Sequence, residues 1–330
     1  MNSGRTTRWM FFAVLGGLAA ALAPPVARAQ ALSTPVLALY PPQAGEVVFV
    51  DLQVARRSPH FARLKDQLLP KRFQDLEQLA AHLGVDFDRN VDRVSYALVG
   101  AAGDTELAEL VGVVEGSFDL PETQRAAARS KLGTRAYRGA QMFSLGKNEH
   151  GVEFVFAFRD NANCLFGSRA QVEDMLDRAV KGGQSLLDNA EMRGLIDEVN
   201  RSTPIWMVLN GQFTKLGVLQ FLGEGATLPG VDTMAERVRN ATVRITLNRS
   251  LDSAVAARCA SSADATWFSA LLQTAIYFQR QRLSTSNPTM ARVLTDAQVD
   301  RAEDRVSLAV SIPESDLATL LETRTFTLHF

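Results

Sequence analysis

A pattern that occurs twice constrains this chain more than any single motif. Residues 84–132 begin GVDFDRNVDRVSYALV and run as an Asp-rich turn, a strand, a polar hairpin and a longer apolar strand, then a helix opened by Asp119 and Pro121. More than a hundred residues later a degraded copy starts at Gly230-Val231-Asp232. It shares Gly-Val-Asp and the Arg-Val that opens the strand, as GVDTMAERVRNATVRITL. Upstream, EVVFVDL followed by a helix corresponds to PIWMVLNG followed by a helix. The interval exceeds any solenoid period, so a duplicated domain is expected and an array is not. Hairpins alternating with single helices predict an α+β chain of two similar lobes, each an antiparallel sheet with helices on one face.

The first residues belong to a different category. Arg5 and Arg8 precede an apolar run at 9–23, Pro24 and Pro25 break it, and Ala27-Arg28-Ala29 presents small residues where a signal peptidase reads. A signal peptide over 1–29 is expected, with Ala31 as the other cleavage position. The run is shorter than the roughly 20 residues a spanning helix needs. No stable membrane span is therefore expected after cleavage, and the location implied is periplasmic or secreted.

The remaining length suits a first lobe over 30–182 and a second over 183–330, divided at Gly182-Gly183. Net charge is −1 for the whole chain, and becomes −4 without Arg5, Arg8 and Arg28. A mildly acidic chain without long basic runs argues against nucleic acid as a partner. Cys164 and Cys259 are the only thiols, each inside an apolar strand-like run. Export permits a disulfide, yet strand-interior cysteines usually pack as small apolar residues.

Element by element, an extended segment is expected at 33–43, followed by a strand at 46–52. Ser58-Pro59 opens a helix, and a second helix covers 73–83. Strands follow at 93–99 and 107–118, joined by a loop at 100–105. Then come a helix at 121–132 and a hairpin pairing 136–145 with 152–158. A helix after Ser168 places Val172, Leu176 and Val180 inward. The longest helix, 263–283, carries Trp267, Phe268, Tyr277 and Phe278 on more than one face, so a central, fully buried position is predicted.

The layout resembles a loose group of uncharacterised exported bacterial proteins with two sheet-and-helix halves and no assigned activity. The matching stretches are Gly84-Val85-Asp86 leading to Val91-Asp92-Arg93-Val94, then Gly116-Ser117-Phe118-Asp119, and Tyr137-Arg138-Gly139 before Phe143. The resemblance implies architecture and location, and it brings no functional residues.

Asp86, Asp88, Asn90 and Asp92 alternate like the ligands of a calcium loop. Val91 and Ala97 stand where that loop needs glycine and glutamate, so a capped turn is the simpler reading. His60, His82, His150 and His329 show no metal-ligand spacing. Glu115-Gly116-Ser117-Phe118 lacks the second glycine of a nucleophile elbow, and there is no phosphate-binding glycine loop. No catalytic, cofactor-binding or metal residue is nominated, no cofactor is expected, and ligand-binding residues are unassigned. The expectation is an exported non-enzymatic protein that binds a protein partner or a ligand in the cell envelope. One alternative is a carrier or sensor of an apolar, lipid-like small molecule, in a cleft between the lobes or beneath the long helix. Another is a hydrolase whose site converges only in three dimensions.

Overall fold

In the computed structural model the described residues are 31–68, 71–100, 109–147, 151–201, 203–222 and 230–326. The signal-peptide expectation and most of the loop at 100–105 lie outside them. The chain is α+β with antiparallel strand pairing, and it divides into two compact units. The first unit comprises 30–53 and 70–201; the second comprises 54–69 and 202 onward.

Among the described residues seven strands make the sheet of the first unit: β1 (Glu46–Asp51), β2 (Val91–Val99), β3 (Glu109–Gly116), β4 (Thr134–Tyr137), β5 (Ala140–Lys147), β6 (Glu153–Phe158) and β7 (Asn163–Ser168). Their order is β1-β2-β3-β7-β6-β5-β4. Side chains alternate across a strand, so β6 and β7 send Phe156, Phe158, Cys164 and Phe166 to one face. There they form a core with Phe118, Phe143, Leu83 and Ala127. The Phe118 and Phe143 rings meet Phe158 edge-on at 5.3 and 5.8 Å, the arrangement that aromatic quadrupoles favour. On the opposite face Ala157 and Leu165 are equally buried. The helix Arg169–Lys181 covers that face, with Val172, Met175 and Leu176 buried and β3, β6 and β7 as its neighbours. Both faces of the inner strands are thus covered, where helices on one face were expected.

Among the described residues the second unit has five strands: β8 (Ile205–Asn210), β9 (Val238–Leu247), β10 (Leu251–Cys259), β11 (Gln298–Ala302) and β12 (Arg305–Ile312). They are ordered β8-β9-β10-β12-β11. This matches β1-β2-β3-β7-β6, and the first unit adds β5 and β4. Along β12, Val306, Leu308, Val310 and Ile312 are buried and the residues between them are partly exposed, the signature of a sheet covered on one side. Ser261 caps the helix Ser262–Ser286 by accepting from the Asp264 N–H at 3.1 Å. Asn287 ends it and caps the next helix, Pro288–Thr295, through the Met290 N–H at 3.1 Å.

The paired GVD stretches behave alike. Gly84 and Gly230 both have left-handed φ, at 74° and 86°, a conformation glycine adopts without steric cost. Each precedes a one-turn helix, Phe87–Asn90 or Val231–Ala235, and then a long strand.

Several expectations are corrected. The boundary expected at Gly182-Gly183 falls inside the first unit, whose last residue is Arg201. Those glycines end a helix, and the following segment is tied back to residues 32–42. Leu186 N–H donates to Tyr40 O at 2.9 Å, Asn189 Nδ2 to Pro42 O at 2.8 Å, and Leu32 N–H to Asn200 Oδ1 at 2.8 Å. In turn, residues 54–69 leave the first stretch and join the second unit. Leu64 is buried beside Leu317, Leu320 and Leu321, and Gln67 Nε2 donates to Leu321 O at 2.8 Å. The strand expected at 136–145 is a hairpin, β4–β5, because Arg138 and Gly139 both take positive φ. Residues 34–37 form a short helix where an extended segment was expected. Val180, predicted inward, is 63% exposed, and Met175 fills the buried position instead.

Candidate functional site

Two surfaces stand apart from the packed cores, one in each unit. In the first unit, β4, β5, β6 and the start of the helix Arg169–Lys181 border a cleft of about 410 Å³. Its charges are largely engaged with one another. Glu153 Oε1 accepts from Ser144 Oγ and from Arg169 Nη2, both at 2.5 Å, and Arg135 pairs with Glu173 at 3.3 Å. The Ser144 hydrogen bond, helped by the positive charge of Arg169, holds the Glu153 carboxyl below its ordinary range. A few residues away, Asp177 accepts from Arg138 at 2.6 Å and from Lys181 at 2.7 Å, which holds its carboxyl far below the usual range. These are ion-pair networks that fix β4 against the helix.

The second surface is the outer face of the helix Ser262–Ser286. Ala265, Phe268 and Leu272 are buried against Ala257, Cys259 and Val306. The opposite side exposes Trp267 at 44%, Tyr277 at 51% and Phe278 at 65%. Trp267 and Phe278 are separated by about three turns and so share one azimuth. Between them lie the exposed residues Ala270, Gln273 and Thr274. No charged residue occurs from Ala265 to Gln279. The rings of Tyr277 and Phe278 meet edge-on at 5.8 Å, and the Arg280 guanidinium lies 5.6 Å from the Tyr277 ring centroid. Single exposed apolar residues are ordinary. Here three large aromatics are exposed on the outer side of one helix, a clustering that singles this side out as a candidate interaction surface. The predicted central position is therefore corrected: one side of this helix covers the sheet and the other meets solvent.

The residues weighed in the sequence take structural places. Asp86 caps the one-turn helix Phe87–Asn90 by accepting from the Asp88 N–H at 2.9 Å, and Asn90 Oδ1 accepts from the Asp86 N–H at 2.9 Å. Asp232, in the second Gly-Val-Asp stretch, pairs with Lys215 at 3.0 Å. His82 lies 2.7 Å from Gln78 O, and His60 Nε2 is buried without a hydrogen-bond partner. His150 and His329 lie outside the described residues. Ser117 is exposed just after β3, with its N–H donating to Asn90 O at 2.8 Å. Cys164 and Cys259 are buried free thiols, one in each unit. Burial pushes both upward, Cys259 to about 11. Among the described residues no group of three His, Cys, Asp or Glu gathers as a metal site, and no helix is long and apolar enough to cross a membrane.

No family model matches the chain, and no curated protein matches it. Among solved structures, crystal form I of the Treponema protein TP0453 is similar. The match has a TM-score of 0.50 at 11% identity and covers 89% of this chain and 98% of that one. A likeness at this identity concerns the fold alone.

Proposed function

We propose that this chain is an exported, non-catalytic protein of the cell envelope that acts by docking a protein partner on the outer face of the helix Ser262–Ser286. The observation that carries the reading is the exposure of Trp267, Tyr277 and Phe278 on a helix that has no charged residue from Ala265 to Gln279. Aromatic side chains supply large contact areas at low entropic cost and dominate binding energy where they cluster. Export is supported by the leader-like pattern of the first 29 residues. The alternative of an apolar small molecule held beneath this helix is weakened, because Phe268 and Leu272 fill the side that faces the sheet.

The test is a photo-crosslinking amino acid placed at Phe278 in the producing cell, with Arg159 in the turn between β6 and β7 as the control position. A protein adduct in the envelope fraction at Phe278, absent at Arg159, supports the reading. Equal labelling at both positions, or no protein adduct at Phe278, defeats it.

A further inference from the structure

We propose that the segment 54–69 is an anion-recognition face that holds the chain against a membrane surface carrying anionic phospholipid. The inference takes the envelope location from the reading above and is independent of its docking face.

Charge is divided unevenly between the two units. Four bases (Arg56, Arg57, Arg63 and Lys65) and one acid (Asp66) give residues 54–69 a charge of +3. Residues 202–330 carry twelve bases and twelve acids, so the whole positive excess of the second unit comes from this segment. The chain from residue 30 onward has a charge of −4, which leaves −7 on the first unit. Charge separated in this way points to a partner of opposite sign at the basic stretch.

Part of that excess is free and faces solvent. Arg57 lies in the turn before the helix Phe61–Leu68, and Arg63 lies on the helix itself. Both are exposed, and neither pairs with an acid among the described residues. Asp66 is turned to Arg324 at 3.7 Å, while Arg56 and Lys65 engage other residues of the chain. Ser58 Oγ donates to Asn248 O, which sets this segment beside the β9–β10 turn and its Arg249. The Arg249 side chain is 82% exposed, and its ion pair with Glu314 is long, at 4.0 Å.

The apolar residues of the segment point the other way. Leu64 is buried, and Phe61 packs against the same core. A specific protein interface needs a desolvated anchor at its centre, and the exposed residues Arg57, Ala62 and Arg63 offer none. Adsorption to lipid headgroups requires no such anchor. Each basic residue close to an anionic membrane strengthens binding about fivefold, and the guanidinium fork matches phosphate oxygens. Charges farther away than a Debye length, about 8 Å at physiological ionic strength, are screened. The local excess therefore decides, even on a chain that is acidic as a whole. Among phosphate-bearing surfaces, an exported chain meets phospholipid.

The test uses chain purified from the envelope of its producing cell, with vesicles of equal parts phosphatidylglycerol and phosphatidylcholine. Co-sedimentation is expected with these vesicles, weakening as salt rises, and none with phosphatidylcholine alone. Arg57→Gln and Arg63→Gln should each weaken it about fivefold, with urea unfolding unchanged because neither side chain has an acidic partner. Arg159→Gln removes the same charge from the first unit and should leave binding unchanged. No binding, equal binding to both vesicle types, full binding by the double variant, or an equal loss from Arg159→Gln overturns the proposal. So does a photo-crosslinker at the exposed Ala62 that captures protein and no lipid, which would assign the segment to an acidic protein. The crosslinker at Phe278 judges the docking reading separately, so either can fail while the other stands.

Discussion

The helix that follows the third strand holds the same place in both units and meets water in opposite ways. In the first unit it is Leu120–Arg129, which buries Thr123, Ala126 and Ala127 and covers its outer side with charge. Glu122 there pairs with Arg125 at 3.2 Å and Arg129 at 2.6 Å. In the second unit it is Ser262–Ser286, more than twice as long, whose outer side carries three exposed aromatics and no charge over its middle turns. The sheets differ in the same sense, since the inner strands of the first are covered on both faces and β12 of the second on one. A shared strand order therefore says little about which surface is finished. What distinguishes the units is where apolar side chains remain in solvent after the core has been filled.

Three measurements sharpen or break that contrast, beginning with the largest effect. Phe268→Ala removes a buried ring from the inner side of the long helix and should cost about 3–5 kcal/mol in urea unfolding. A loss comparable to a surface substitution would mean that this helix does not close the second core.

A smaller effect comes from acid. Glu153, Asp177 and Glu122 are held below their ordinary range by hydrogen bonds from Ser144, Arg138 and Arg129, respectively. All three lie in the first unit. Their folded values are lower than their unfolded ones, so the stabilisation is complete above about pH 4.5 and disappears as pH falls through the depressed values. Hydrogen-exchange protection across β4–β7, taken relative to the intrinsic rate at each pH, should fall over that window. Protection retained there in strong acid would show that the networks around Glu153 and Asp177 contribute nothing.

The smallest effect is expected at Phe278→Ala. Truncating an exposed ring should change stability by no more than about 0.5 kcal/mol, even as docking is lost. A cost near that of Phe268→Ala would mean that the outer face is packed, and the contrast between the two helices would collapse.

Much of the fold was legible because it follows from local periodicity. The strands around Tyr96, Val113 and Phe156 alternate or run apolar at strand length, and Gly84 and Gly230 mark equivalent turns. What escaped depends on partners distant in sequence. Nothing near Ser58 announces that Leu64 packs on Leu317, or that Leu186 returns to Tyr40. The Arg138-Gly139 turn was hidden because arginine is a rare occupant of the left-handed region. The docking face was hidden for another reason. Apolar residues are spread along 263–283, and only their azimuths separate the inward set of Ala265, Phe268 and Leu272 from the outward set of Trp267 and Phe278. The available signal was the absence of charge between Asp264 and Arg280, combined with the eleven-residue interval from Trp267 to Phe278.

Cys164 and Cys259 give the molecule an unplanned clock. One sulfur is sealed in β7 and the other at the end of β10, each in a different unit. Neither can be alkylated until the strand around it opens, so the two modification rates time the breathing of the halves separately within one unmodified molecule.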